Sequence, residues 1–407
     1  MTAPDERDTT TVDISGLARA SGPAALAAML ARSVALYLGL FALSMIWLVV
    51  ILVGFNQAGD AALLVAAPIA FAPFIYGAYR VVIGAERWTA GVGSFLSAKD
   101  LEAGELTRTV PHVGVSVEAL LDRVNAFAAG LGTPRVVRET NAAKISQAWG
   151  LRLGATGLLF AGVVAGVSTG SAGSPNYLPP VLAFVVFSYL FLKARKLLQP
   201  SLETVLAQDR RKPVLLLRSF QDEMLKADQY FSTPIGSISL HRRFEQGIAG
   251  SFTAFGPLIA IGKPGEELPQ IGAARIYLGD AEWQAAVLRW MDASVMIAMI
   301  AGATEWIRWE LHRIVEMGRA SRLLILLPPQ ADKARWDNVV AALAGTPWGA
   351  PLGALDIKGL LLVMLRPEGR VVAIRRHGGR PFIQDYQLAI AIAVHEEFLA
   401  AGGPQPS

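Results

Sequence analysis

A four-helix membrane bundle joined to a doubly wound α/β domain is the fold class predicted for this chain, on three observations. Of 407 residues, 53% are hydrophobic and only 17% charged, against about 25% charged in an ordinary soluble domain, and the mean hydropathy is +0.41. Long uncharged runs concentrate in the first half. After Pro200, strand-like and helix-like runs alternate, the signature of a mainly parallel, flavodoxin-like sheet covered by helices.

Composition also excludes functions. The 37 Lys and Arg against 33 Asp and Glu leave a net charge of +4, too small to predict a nucleic-acid partner. Cysteine is absent, which removes disulfides, thiolate zinc sites, iron–sulfur clusters and Cys nucleophiles. His112, His241, His312, His377 and His395 show no ligand spacing, and VHEEF at 394–398 lacks the second His of H-E-x-x-H, so no metal is expected. Lys263 is followed by Pro264 where a Walker A motif needs Ser or Thr, and no G-x-G-x-x-G follows a strand. Ordinary NTPases and dehydrogenases are thereby disfavoured.

Residues 1–32 lack the order of a secretory signal and read as a cytosolic tail. Ser33 to Phe55 carries no charge and at about 1.5 Å per residue could cross a hydrocarbon core of about 30 Å. A second run, 61–79, follows after NQAGD, making a hairpin over 33–79. A further hairpin is expected over 153–195, with spans 153–171 and 178–195 around the turn AGSPNY. Basic residues fall in 80–152 and after Leu192 rather than in the two turns, which predicts a multi-pass protein of the inner (plasma) membrane with both termini cytoplasmic. No span has an ionisable residue in its interior, which argues against transport. Gly162, Gly166 and Gly170 form a small-residue stripe suited to helix packing or a homodimer. GVSTG within it matches G-x-S-x-G, but no strand precedes it. Within 80–152, Ser116 to Leu131 predicts an amphipathic helix with Ser116 as N-cap.

In the segment 200–401, PVLLLRSF (213–220) predicts a first strand buried on both faces. A helix over 241–255, a strand over 257–262, a Gly/Pro loop and a helix around AEWQAAVLRWMDAS follow. The pattern continues with strand 295–302, helix TEWIRWELHRIVEMG, strand 322–329, helix 332–344, strand 359–365, a hairpin partner at 370–374 and a closing helix 385–401. Residues 402–407 read as a disordered tail. A site is expected at the carboxyl ends of the strands.

Three joints resemble the Toll/interleukin-1 receptor (TIR) domain: LLLRSFQDE at the end of the first strand, the loop 262–275, and ASVMIAMIAGATEWIRWELHRI at 293–314. In the last of these Trp306, Glu310 and Leu311 match the W-x-x-x-E-L of that family. The resemblance covers about 213–400. It implies that Glu310 is catalytic, engaging the ribose beside the scissile bond of NAD as substrate, and that the domain is an NAD glycohydrolase active when clustered. A carboxylate fixed beside a sugar would stabilise the oxocarbenium charge of such a cleavage. Trp306 could stack on a base, and Arg218, Ser219 and Phe220 could contact phosphate and ring, so these four are the candidate ligand-binding residues.

Two departures stand against the resemblance: the link 221–240 is long for the family, and the strand near 370–375 is extra. An alternative reading of Glu310 is a solvated ion pair with Arg308, Arg313 or another surface cation. The corresponding alternative function is a non-catalytic, membrane-anchored signalling scaffold that self-associates. Expected partners are the lipid bilayer, further copies of the chain and a nucleotide; no nucleic acid is expected, and no resident cofactor is firmly implied.

Overall fold

The computed structural model describes residues 9–15, 17, 106–132, 137, 139–169, 176, 178–219, 225–233, 236–261, 274–276 and 283–400. The chain divides into two compact units, one made of 1–22, 93–145 and 196–407, the other of 23–92 and 146–195.

The first unit is built on an eight-stranded sheet. In chain order its described elements are β1 (Thr9–Asp13), α1 (Val117–Gly130) and, after α2 (Ala142–Ser168) and α3 (Leu178–Leu197), α4 (Leu202–Gln208), β2 (Val214–Leu217), β3 (Lys226–Thr233) and β4 (Gly236–Arg243). There follow α5 (Phe244–Thr253), β5 (Leu258–Ile261), β6 (Ala274–Ile276), α6 (Trp283–Ala293), β7 (Met296–Ile300) and α7 (Glu305–Glu316). The last are β8 (Leu323–Leu326), α8 (Lys333–Leu343), α9 (Gly349–Gly353), β9 (Leu360–Leu365), β10 (Val371–Arg375) and α10 (Ile383–Val394), which runs into a π-helical turn, His395–Ala400.

The strand order is β1-β10-β9-β8-β7-β2-β5-β6. β9 is antiparallel to both β8 and β10, and every other pairing in this sheet is parallel. The sheet is therefore mixed. Side chains alternate along each strand, so Val214 and Leu216 enter one core with Phe244, Ile248 and the apolar residues of α10 and α1. Leu215 and Leu217 enter the other, with α6, α7 and α8. Both faces are covered, which is why VLLL carries no polar position.

Several elements differ from the sequence reading. Residues 9–13, expected in a free tail, form an edge strand on β10, where Val12 is fully buried. The link after the first strand is a separate two-stranded hairpin, β3–β4, paired from Lys226↔Arg243 to Thr233↔Gly236. That hairpin takes 241–243 from the expected helix, so α5 starts at Phe244. The Gly/Pro loop releases an additional strand, β6, in register with Ile259–Ile261. α1 starts behind Ser116, whose hydroxyl accepts from Ala119 N at 3.2 Å. Gly359, ahead of β9, has φ +72, and a Cβ there would stand 2.1 Å from the Arg376 carbonyl oxygen, so both backbone and space require glycine.

The four-pass bundle is overturned. Among the described residues no helix is long and apolar enough to cross a membrane. The two helices over the second expected hairpin show why. α2 begins eleven residues back, at Ala142 rather than near Leu153, and carries Lys144 and Arg152, which leaves an uncharged stretch, Leu153–Ser168, of about 24 Å at about 1.5 Å per residue. α3 ends in Lys193, Arg195 and Lys196, and its uncharged part, Leu178–Leu192, is shorter still. Both fall below the roughly 30 Å hydrocarbon thickness. The spans 33–55 and 61–79 lie outside the described residues. The bundle, the multi-pass localisation at the inner membrane and the membrane-presented function are accordingly withdrawn, the anchored scaffold included.

In the second unit α2 and α3 pack closely through glycine. A Cβ on Gly162 would lie 2.3 Å from Ala183 Cβ and 3.0 Å from the Pro179 carbonyl oxygen. Arg152, 8% exposed, lies over the rings of Trp149 and Phe191 at 5.7 and 5.1 Å. Much of α3, including Val181, Phe184, Val185 and Tyr189, is exposed.

Candidate functional site

α7 carries the site. Thr304 holds the extended backbone of an N-cap, Glu305 lies in the first turn and Arg313 in the last, an arrangement that suits the helix dipole. Ile307, Leu311 and Ile314 recur at helical spacing and are buried against the sheet. The two flanks of this apolar stripe differ. On one, Arg308 donates from Nε and Nη2 to Asn338 Oδ1 of α8, at 3.2 and 2.8 Å. On the other, Trp306 and Trp309 meet Trp283 of α6 edge-on, with centroids 4.8 and 5.2 Å apart.

Glu310 stands one turn beyond Trp306, so it belongs to the tryptophan flank. It is 7% exposed, and its buried Oε2 has no hydrogen-bond partner. Burial alone pushes its carboxyl up to about 8. The group is therefore protonated at neutral pH. The ion-pair alternative fails on geometry: Arg308 is engaged by Asn338, and Arg313 Nη1 donates to Glu316 Oε2 at 2.6 Å. Trp306 itself is 54% exposed, an indole face at the surface beside a buried acid.

The loop leading into α7 is fixed from α8. Asn338 Nδ2 donates to the carbonyls of Gly302 and Thr304 at 2.9 and 3.0 Å, and Arg335 Nη1 donates to that of Ala301 at 3.2 Å. One buried amide thus holds the carboxyl end of β7 and the entry of α7 together. Thr304 Oγ1 is buried without a hydrogen-bond partner.

The structure brings together two of the residues singled out in the sequence, Glu310 and Trp306, and separates another. Arg218 continues the alternation of β2 toward the α5 face, where its Nε stands 2.9 Å from Glu245 Oε2 in a pair only 2% and 10% exposed. That face is opposite the one covered by α7. Its guanidinium is committed to a buried structural pair, and a phosphate role beside Glu310 has no geometric support. Ser219 is buried and follows it. Phe220 lies outside the described residues, as do Asp222, Glu223 and most of the loop 262–275.

No family model, curated protein or solved structure matches the chain. The TIR resemblance thus rests on the quoted motifs, and neither NAD nor signalling gains support from any relative. Among the described residues no group of three or more His, Asp or Glu could hold a metal ion.

Sequence reading missed Trp283, Asn338 and Glu245. Asn338 had a visible signal, a polar residue at a core register of the amphipathic helix containing Trp336, Val339 and Ala342. Trp283 and Glu245 had none, because their roles depend on which helices become neighbours.

Proposed function

We propose that the α/β unit binds a small ligand bearing a planar ring, with Trp306 as the stacking platform and Glu310 as a neutral acid that donates a hydrogen bond or proton to it. The observation that carries this reading is the buried, unpartnered Glu310 carboxyl. An acid held in its neutral form at pH 7 can donate where an ordinary carboxylate can only accept. A value of about 8 also lies near the pH at which general acid–base catalysis is most effective. The strand–loop–helix order around W-x-x-x-E-L supports a TIR-like classification of the same segment and picks out the same two residues.

The test is quenching of tryptophan emission in the full chain by a panel of uncharged aromatic heterocycles, repeated in Trp306→Ala and Glu310→Gln. Saturable quenching that disappears in Trp306→Ala and weakens above pH 8 is expected. A panel without saturable quenching in the wild type, or binding indifferent to both substitutions, overturns the reading.

A further inference from the structure

On the opposite face of the sheet, a second group of titratable side chains joins α1 to the end of α10. The turn His395–Ala400 is π-helical, a geometry that displaces side chains from α-helical register and recurs at functional positions. Phe398 on this turn stacks on Phe127 of α1 with centroids 5.6 Å apart. His395, 7% exposed, sits beside them.

Two charged groups face the His395 ring. Arg123 Nη1 of α1 lies 3.5 Å from Nε2, and Glu396 Oε1 lies 3.9 Å from Nδ1. A guanidinium only donates, so Nε2 must accept, which leaves the single proton of the neutral ring on Nδ1. Protonation places an N–H on Nε2 against the guanidinium N–H, donor against donor and cation against cation. The other oxygen of Glu396 is 3.6 Å from His112 Nε2, in the loop that precedes α1. Glu397 is paired with Arg366 at the turn between β9 and β10. His112 has φ 71, a left-handed conformation rare for a residue with a Cβ, which is strain at the same joint.

We propose that His395 is an acid-sensitive latch, holding the second half of α1 against the π-helical turn through Arg123 at neutral pH and releasing it when the ring takes up a proton. Acid acts on the contact itself: a charged His395 repels Arg123, and the Nε2 acceptor that the contact requires is lost. Burial, opposed by Glu396 and reinforced by Arg123, keeps the His395 ring below the usual histidine range, so the neutral form prevails at pH 7. The latch is independent of the ligand site.

The experiment is amide hydrogen exchange at pH 7.5 and 5.5, corrected for intrinsic rates, on the full chain carrying Glu310→Gln throughout, so that acid does not itself stabilise the reference, the amides of α7. Opening of 123–130 is expected to rise roughly tenfold relative to α7 at pH 5.5, the scale of one lost hydrogen bond to a charged group. Arg123→Gln, at a residue exposed in the fold, and His395→Gln should both abolish the rise. In that background, acidification that leaves 123–130 tracking α7 with Arg123 and His395 intact overturns the proposal, as does a rise that persists in Arg123→Gln. That variant carries the test if His395→Gln fails to fold.

Discussion

Trp306 meets Trp283 with the ring planes at 87° and the centroids 4.8 Å apart, so an exposed indole is held upright by a neighbour from another helix. Edge-to-face pairs of this kind contribute about 0.5–1.5 kcal/mol beyond area burial. Trp306→Ala should therefore lower the unfolding free energy by only about 1 kcal/mol in a urea titration while removing ligand-dependent quenching. A loss of several kcal/mol would mark Trp306 as core.

Glu310 makes stability depend on pH in a defined direction. Below 4.5 both the native and the unfolded carboxyl hold their proton, and between 4.5 and about 8 only the native one does. Stability is full below the lower value and falls by about 1.4 kcal/mol per pH unit across that window, for a total of a few kcal/mol. Above about 8 the loss is complete. Denaturant midpoints from pH 5 to 9 should show this fall in the wild type and lose it in Glu310→Gln. The acid direction is stabilising here, opposite to the loosening expected of the His395 latch, so the two are separable.

The Arg218–Glu245 pair predicts a non-additive cycle. Arg218→Met removes the guanidinium from a buried carboxylate and should cost about 3–5 kcal/mol, whereas adding Glu245→Leu should recover most of it. Thermal denaturation of the two singles and the double measures the coupling. Additive losses would show that Arg218 acts elsewhere.

Gly162→Ala tests the contact between α2 and α3. A methyl at 2.3 Å from Ala183 Cβ must push the helices apart, at a cost of about 1–3 kcal/mol. Pairing it with Ala183→Gly should restore the spacing, as read by cross-linking between cysteines placed on the two helices.

Legibility followed the range of the interactions. Strands such as Leu360–Leu365 and the α7 helix announce themselves through continuous or periodic apolar residues, and W-x-x-x-E-L brought Glu310 and Trp306 forward because four residues on a helix define one flank. Hydropathy misled where length decides. The apolar runs after Leu153 and Leu178 continue into helices with Lys144, Arg152, Lys193 and Arg195, and a window of uncharged residues does not reveal that an element is partly polar. Arg218 misled because charge at a strand end suits a phosphate and a buried carboxylate equally; only the position of α5 chooses. β1 was illegible for another reason: its partner is not local.

That partnership governs how the chain can be made. Thr9 pairs with Val371, and Ser15 Oγ accepts from His377 N across a sequence separation of 362. A nascent chain must carry residues 9–13 without their partner until Val371–Arg375 has been made, and long-range pairing of this sort is slow to form. A truncated fragment starting at residue 200 would expose the rim of β10, buried along its whole length, to any passing strand. Work on the isolated C-terminal half would then report on aggregation as much as on chemistry, and supplying residues 9–17 in trans as a peptide is the direct way to heal the fragment.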